Sequence, residues 1–333
     1  MSAEAATSLN YMSKSVHVIS PVAGFGNSLD LELVASLLDE NGFNVTRYPV
    51  VRREKKARYG RALGRILSFR GRFDVNIFLA PIFAEWLPLA RKNVLIPNAE
   101  GFPAHLHKWL PRIDLVLAKT RLTERVFRQL GCRTEYVGFM SPDQLDEQVP
   151  RDPTKFFHAC SSEHKGTQRL LEVWETHPEW PELVAVINNN GKIPASFKSG
   201  NIRAIRQRLT KAEVRQLQNS IRFHLCCSEA EGFGHYIMEA MSCRAVTFTT
   251  NGAPMNELIQ PGRGILVDCL DDTPAMGLSH RYFFKPESLE EQVERVRKFD
   301  LAAVDEIGGA ARAYFLESNR LFRERFPEII RSL

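Results

Sequence analysis

The sequence predicts an α/β protein with two Rossmann-like domains, each a doubly wound parallel sheet. Three observations carry that expectation. At 333 residues the chain is long for one hydrophobic core, so two domains are the first expectation. Short apolar, β-branched runs alternate with Gly-containing turns and helix-periodic segments, the pattern of βαβ units. Two series of such units flank residues 141–155 (SPDQLDEQVPRDPTK), which hold three prolines, several acids and no periodicity, and read as a linker.

Residues 1–14 are small and polar and read as a disordered lead-in. The first domain is expected over 15–140, with strands at 15–20, 43–51, 73–79, 93–97, 113–118 and 135–139. Gly24 and Gly26 lie in the turn after the first strand, and the run 29–38 has helical spacing. As a dinucleotide fingerprint this G-x-G is weak, and a tight turn alone would need the glycines. Ligands in such sheets sit at strand carboxyl ends. The polar stretch after 93–97 therefore makes Asn98, Glu100 and His105 candidates for the reacting centre, with ordinary surface-loop positions as the alternative. Lys119, Thr120 and Arg121 follow the next strand and should also point into the cleft.

Between Arg52 and Arg72 there are nine Lys or Arg and one acid, Glu54. Tyr59, Leu63, Ile66 and Leu67 would share a helix face beside Arg58, Arg61 and Arg65. Such a helix suits an anionic bilayer or a phosphorylated acceptor. The alternative is a solvated helix packed on the sheet. No nucleic-acid motif or aromatic interleaving accompanies the charge, so nucleic acid is not expected as a partner.

The second domain is expected over 156–310, with strands at 156–160, 183–187, 202–205, 223–227 and 245–249. Helices are expected at 168–176, 211–219, from His235, at 288–297 and at 301–326. Asp268, Asp271 and Asp272 read as a polar turn, and no metal site is expected. The centre of this half is the strand 223–227, the turn Glu231-Gly232-Phe233-Gly234 and the helix that follows. Glu231 lies in the turn and Glu239 eight residues on, in the helix. Unsatisfied amides at that helix start, beside carboxylates that accept hydrogen bonds from hydroxyls, suit a phosphorylated sugar.

The pattern S-x2-E-G-F-G-x4-E-A-M-S-C from Ser228, followed by T-x-G-A-P-x-N-E-L-I from Thr250, resembles the donor-site signature of retaining GT-B glycosyltransferases of family 4. The resemblance implies that Glu231 contacts the donor sugar and Glu239 the nucleotide ribose. It also implies that Gly232, Phe233, Gly234 and His235 present the turn's amides, and that Gly252, Ala253, Pro254, Met255 and Asn256 form a helix start near the diphosphate. Lys165 matches the Lys of the family's K-G pair. The Arg that usually accompanies it is replaced by Ser161 or Ser162, leaving amides, Arg169 or Lys119 to supply the second neutralising group. The loop of Gly24 and Gly26 would face the cleft. Related transferases often carry a His near the acceptor hydroxyl, for which His105 and His107 are candidates. The closing segment, 311–333, would be the helix that crosses back to the first domain.

Net charge is +5, and the six cysteines show neither a disulfide framework nor metal-ligand spacing, which implies a reducing cytosol. The chain has no apolar run of about 18 residues and its start lacks an apolar signal core, so membrane contact is expected to be peripheral, at the inner face. The expected activity is retaining, metal-independent transfer of a hexosyl group from a nucleotide-sugar donor to a hydroxyl of a glycan or of a phosphorylated or lipid-linked acceptor, with no cofactor. Two rivals remain open: a binding or scaffold protein that kept the fold without turnover, and a nucleotide-sugar epimerase.

Overall fold

The computed structural model describes residues 13–21, 24–50, 73–160, 162–187, 193 and 196–333. The basic run 52–72, the lead-in 1–12, Ser161 and the turn 188–191 lie outside the described residues.

The first domain is built from β1 (Ser15–Pro21), α1 (Gly24–Glu40), β2 (Asn44–Val50), β3 (Phe73–Leu79), β4 (Ala90–Ile96), β5 (Leu115–Ala118), α2 (Arg121–Gln129) and β6 (Thr134–Tyr136). Its six strands pair in the order β2-β1-β3-β4-β5-β6, every neighbour parallel. Parallel strands covered on both faces must be apolar along their length rather than alternating. The buried runs of β1 from Val16, of β4 from Val94 to Ile96 and all of β5 meet that demand. Two 3₁₀ segments, Ala84–Leu89 and Ala104–Arg112, connect β3 to β4 and β4 to β5. Each contains a proline, which lacks the amide a longer α-helix would need.

The second domain comprises β7 (Asp152–Cys160), α3 (Thr167–Glu175), β8 (Leu183–Ile187), β9 (Ile202–Ile205), α4 (Lys211–Ser220), β10 (Ile221–Cys226), α5 (His235–Ser242), β11 (Val246–Thr250), the single turn α6 (Met255–Leu258), β12 (Ile265–Val267) and α7 (Pro286–Val296). The strand order is β12-β11-β10-β7-β8-β9, again all parallel. This is the doubly wound order whose direction of winding reverses between β7 and β10, and a crevice opens beyond the carboxyl ends of strands at such a reversal. A short hairpin, β13 (Ala275–Met276) with β14 (Ser279–His280), leaves this domain toward the first.

β7 begins at Asp152, so the linker ends at Arg151 rather than at Lys155 as the prolines suggested. The ladder to β10 is irregular between the Asp152 and Phe156 pairings, and the missing amide of Pro153 falls in that interval. The last helix, α8 (Leu301–Ser332), is unbroken. Its first half packs Val304 into the second domain's core with Phe156, Trp174 and Phe248. Its second half places Phe322, Phe326 and Ile330 in a cluster with Val16, Val18 and Leu37 of the first domain. Polar ties accompany this crossing: Asn319 Nδ2 donates to the Ser141 carbonyl at 2.8 Å, and Arg323 pairs with Glu40 at 2.6 Å. Ile237, Met238 and Met241 of α5 belong to the same cluster, so the helix carrying Glu239 is wedged between the domains. Among the described residues no helix is long and apolar enough to cross a membrane.

Candidate functional site

The turns after β7 and β10 meet at the reversal point of the second sheet. Gly166 has φ 66°, and a side chain there would strike the Cys227 carbonyl, so only glycine lets the two turns close on each other. Lys165 is thereby buried against the Glu231 turn. Its ammonium donates to Glu231 Oε1 and lies 3.7 Å from the centre of the Tyr236 ring. Ser228 Oγ donates to the same carboxylate oxygen and is 2.6 Å from the Tyr236 hydroxyl. Gly234, with φ 109°, ends the turn and leads into α5 at His235. Glu239, one turn along α5, accepts from Gln218 Nε2 at 3.1 Å, and burial raises its pKa despite that bond.

The first domain contributes a second polar group facing this turn. Asp30 of α1 is buried; Lys119 Nζ, at the end of β5, lies 2.9 Å from Asp30 Oδ2 and His235 Nε2 lies 2.7 Å from Oδ1. Burial pushes the Asp30 pKa upward, but Lys119 and His235 outweigh it and hold the carboxyl at about 2. The other ring nitrogen of His235 is 2.7 Å from Ser141 Oγ. His235 thus bolts the start of α5 to α1 and to the segment joining the domains.

The loop after β4 completes the cleft. Asn98 packs on Gly232 so closely that any Cβ there would strike its side-chain amide. Gly277, in the hairpin turn, has φ 59° and lies against the Glu100 carbonyl, while Leu278 donates its amide to the Ala99 carbonyl at 2.8 Å. Asn98 Oδ1 and Glu100 Oε2 are both buried without a hydrogen-bond partner. Burial pushes the Glu100 carboxyl up to about 7 against a hydrogen bond from its own backbone amide and the charge of Lys119, and Glu231 and Asp30 add to the rise.

Several expected residues are placed differently from the sequence reading. His105 is exposed on the 3₁₀ segment, and His107 stacks on Phe102 at 5.8 Å with its Nε2 buried and without a hydrogen-bond partner. Lys119 faces the cleft but is paired with Asp30, whereas Thr120 caps α2 through the Thr123 amide and Arg121 lies over the Tyr136 ring at 3.7 Å. Arg169 lies 5.5 Å from the Phe283 ring and 5.9 Å from that of Phe284. Ser162 begins the short 3₁₀ turn that carries Lys165. Phe233 is a core residue, edge-on to Phe139 at 5.5 Å. In the second loop, the Tyr282 ring occupies the space a side chain at Gly252 would fill, Met255 is buried, and Asn256 donates to Asn251 Oδ1 at 3.1 Å. The helix expected after Ala253 and Pro254 is only the single turn α6. Its Glu257 accepts from the backbone amides of Arg121 at 2.6 Å and Leu122 at 2.8 Å, so it caps α2 across the domain boundary. Gly26 is exposed at the start of α1, with open space around it.

Asp30 escaped the sequence reading. It sits mid-helix in an ordinary periodic run, and its partners lie 89 and 205 residues away.

No protein-family model matches the chain, and no curated protein matches it in sequence. Solved structures match it over nearly its whole length. A glycosyltransferase from Rickettsia africae superposes with a TM-score of 0.73 at 14% identity, covering 96% of this chain and 98% of its own. A sucrose-phosphate synthase from Thermosynechococcus elongatus gives 0.72 at 12%, covering 96% and 99%. HepE from Anabaena, in complex with UDP and glucose, gives 0.68 at 13%, covering 96% and 100%. The chain has the two-domain, Rossmann-like GT-B fold of these glycosyltransferase structures.

Proposed function

We propose that the protein is a retaining, metal-independent glycosyltransferase of the family 4 type, moving a hexosyl group from a nucleotide sugar to an acceptor hydroxyl. The observation that carries this reading is the Lys165–Glu231 pair at the reversal point of the second sheet, beside the start of α5. That arrangement offers a cation and helix amides for a diphosphate next to a carboxylate for sugar hydroxyls. Structural similarity to HepE, which is in complex with UDP and glucose, supports the same donor class.

In this reading Lys165 leaves Glu231 for the diphosphate when donor enters, and Glu231 turns to the sugar hydroxyls. As the bond from the anomeric carbon to phosphate oxygen breaks, its electron pair leaves with the diphosphate. Lys165 and the α5 amides stabilise the growing negative charge. The acceptor oxygen bonds to the anomeric carbon on the face the phosphate vacates, and its proton passes to the departing phosphate oxygen. Glu239 holds the ribose. The acceptor is a glycan or a lipid-linked glycan, and the basic run 52–72 provides contact with an anionic membrane at the cytoplasmic face.

Thermal unfolding in the presence of UDP, GDP, ADP or dTDP tests the donor half. One of them should stabilise the protein by about 2.7 kcal/mol at a hundredfold excess over Kd. No stabilisation by any of the four would remove the reading. The serine in place of the diphosphate Arg favours one rival, a sugar-nucleotide binder without turnover. Slow release of nucleoside diphosphate from the donor in water would exclude it.

A further inference from the structure

We propose that Asn98 and Glu100 form the acceptor subsite, holding the reacting hydroxyl and a neighbouring hydroxyl of an uncharged saccharide or polyol. The inference rests on the transferase reading and adds the half of the reaction that the donor motif leaves unspecified.

The first observation is polar atoms without partners. Buried polar atoms nearly always have hydrogen-bond partners, because desolvating one without a partner costs about 1–3 kcal/mol. Asn98 Oδ1 and Glu100 Oε2 are two exceptions on one loop, two residues apart. The second observation is their location. The loop is held between two glycines of the other domain, Gly232 in the donor turn and Gly277 in the hairpin, each leaving no room for a Cβ. Asn98 therefore lies against the residue next to Glu231. The pair thus sits on the first domain's loop beside the turn that carries Glu231.

The charges around the pair select the class of ligand. The groups facing Glu100 are Lys119 at the end of β5, Asp30 on α1 and Glu231 after β10. Lys119 is 2.9 Å from Asp30, and Lys165 is bonded to Glu231, so among the described residues facing the pair each cation already has a carboxylate. A phosphate here would meet three carboxyl groups. An uncharged hydroxyl would not, and it can donate to Asn98 Oδ1 while accepting from a protonated Glu100.

The test measures both substrates for the wild type, Asn98→Ala, Glu100→Gln and Glu100→Ala. The donor is whichever nucleotide sugar the wild type hydrolyses. The acceptors are a panel of methyl glycosides and polyols, and the same sugars as monophosphates. Asn98→Ala and Glu100→Ala should raise the acceptor KM at least tenfold with the donor KM within twofold, lowering the ratio of transfer to hydrolysis. In Glu100→Gln, which mimics the protonated acid, acceptor KM should no longer rise as pH passes about 7, while in the wild type it does. Nucleoside-diphosphate binding by each variant confirms folding. Equal rises in donor KM, or use of the monophosphates alone, would overturn the acceptor assignment while leaving the transferase reading intact. A wild type that hydrolyses no nucleotide sugar would overturn both.

Discussion

Replacing Glu100 by Gln should stabilise the protein at pH 8. The Glu100 carboxyl is raised from the ordinary 4.5 to about 7, chiefly by burial, so the folded chain holds this proton more tightly than the unfolded chain. Its contribution is therefore full below pH 4.5 and is lost as pH rises through about 7, where the buried group must ionise or the fold must open. At about 1.36 kcal/mol per pH unit, the span from 4.5 to about 7 corresponds to about 3 kcal/mol of destabilisation in the wild type at pH 8. Gln keeps the shape and cannot ionise. Urea denaturation followed by tryptophan fluorescence should show the two proteins equal near pH 4.5 and separating by up to about 3 kcal/mol at pH 8, the variant being the more stable. A variant that is less stable at pH 8, or a difference independent of pH, would refute the claim that this carboxyl is held desolvated in the cleft. A residue that destabilises its own fold is a familiar property of functional sites.

Other perturbations have equally definite outcomes. Asp30→Asn leaves Lys119 buried without its carboxylate and should cost about 3–5 kcal/mol by denaturation at neutral pH. Because the Asp30 carboxyl is depressed from 3.8 to about 2, that difference should persist above pH 3.8 and shrink as pH falls through about 2. Glu257→Ala removes the carboxylate that caps α2 from the other domain, and should cost about 1 kcal/mol with faster hydrogen exchange at the Arg121 and Leu122 amides. Gly277→Val combines a left-handed backbone with a collision at the Glu100 carbonyl; transfer to an acceptor should fall more than nucleoside-diphosphate binding does, measured by steady-state kinetics and thermal shift.

What the sequence disclosed and what it hid follow from range. The runs that became β1, β3, β8 and β10 were readable because a parallel strand buried on both faces is predominantly apolar along its length, a property of neighbouring residues. Glu231 and Lys165 stood out because the turns that carry them resemble the GT-B donor-site signature, a local pattern, and the two turns meet at the reversal point of the sheet. The three-residue β12 and the two-residue strands of the hairpin are too short to show a period. The pairing of Lys119 with Asp30, the bolt through His235 and the cap from Glu257 join segments more than eighty residues apart, and no local pattern marks them. The same holds for Gly252, read as an amide donor, whose missing side chain makes room for Tyr282.

The most direct measurement is release of nucleoside diphosphate from a panel of nucleotide sugars in water, comparing the wild type with Glu231→Gln and Lys165→Ala. The account predicts slow release from one donor by the wild type and a fall of about a hundredfold or more in each variant. Wild-type protein that binds the nucleotide yet releases nothing, or variants as fast as the wild type, would contradict it.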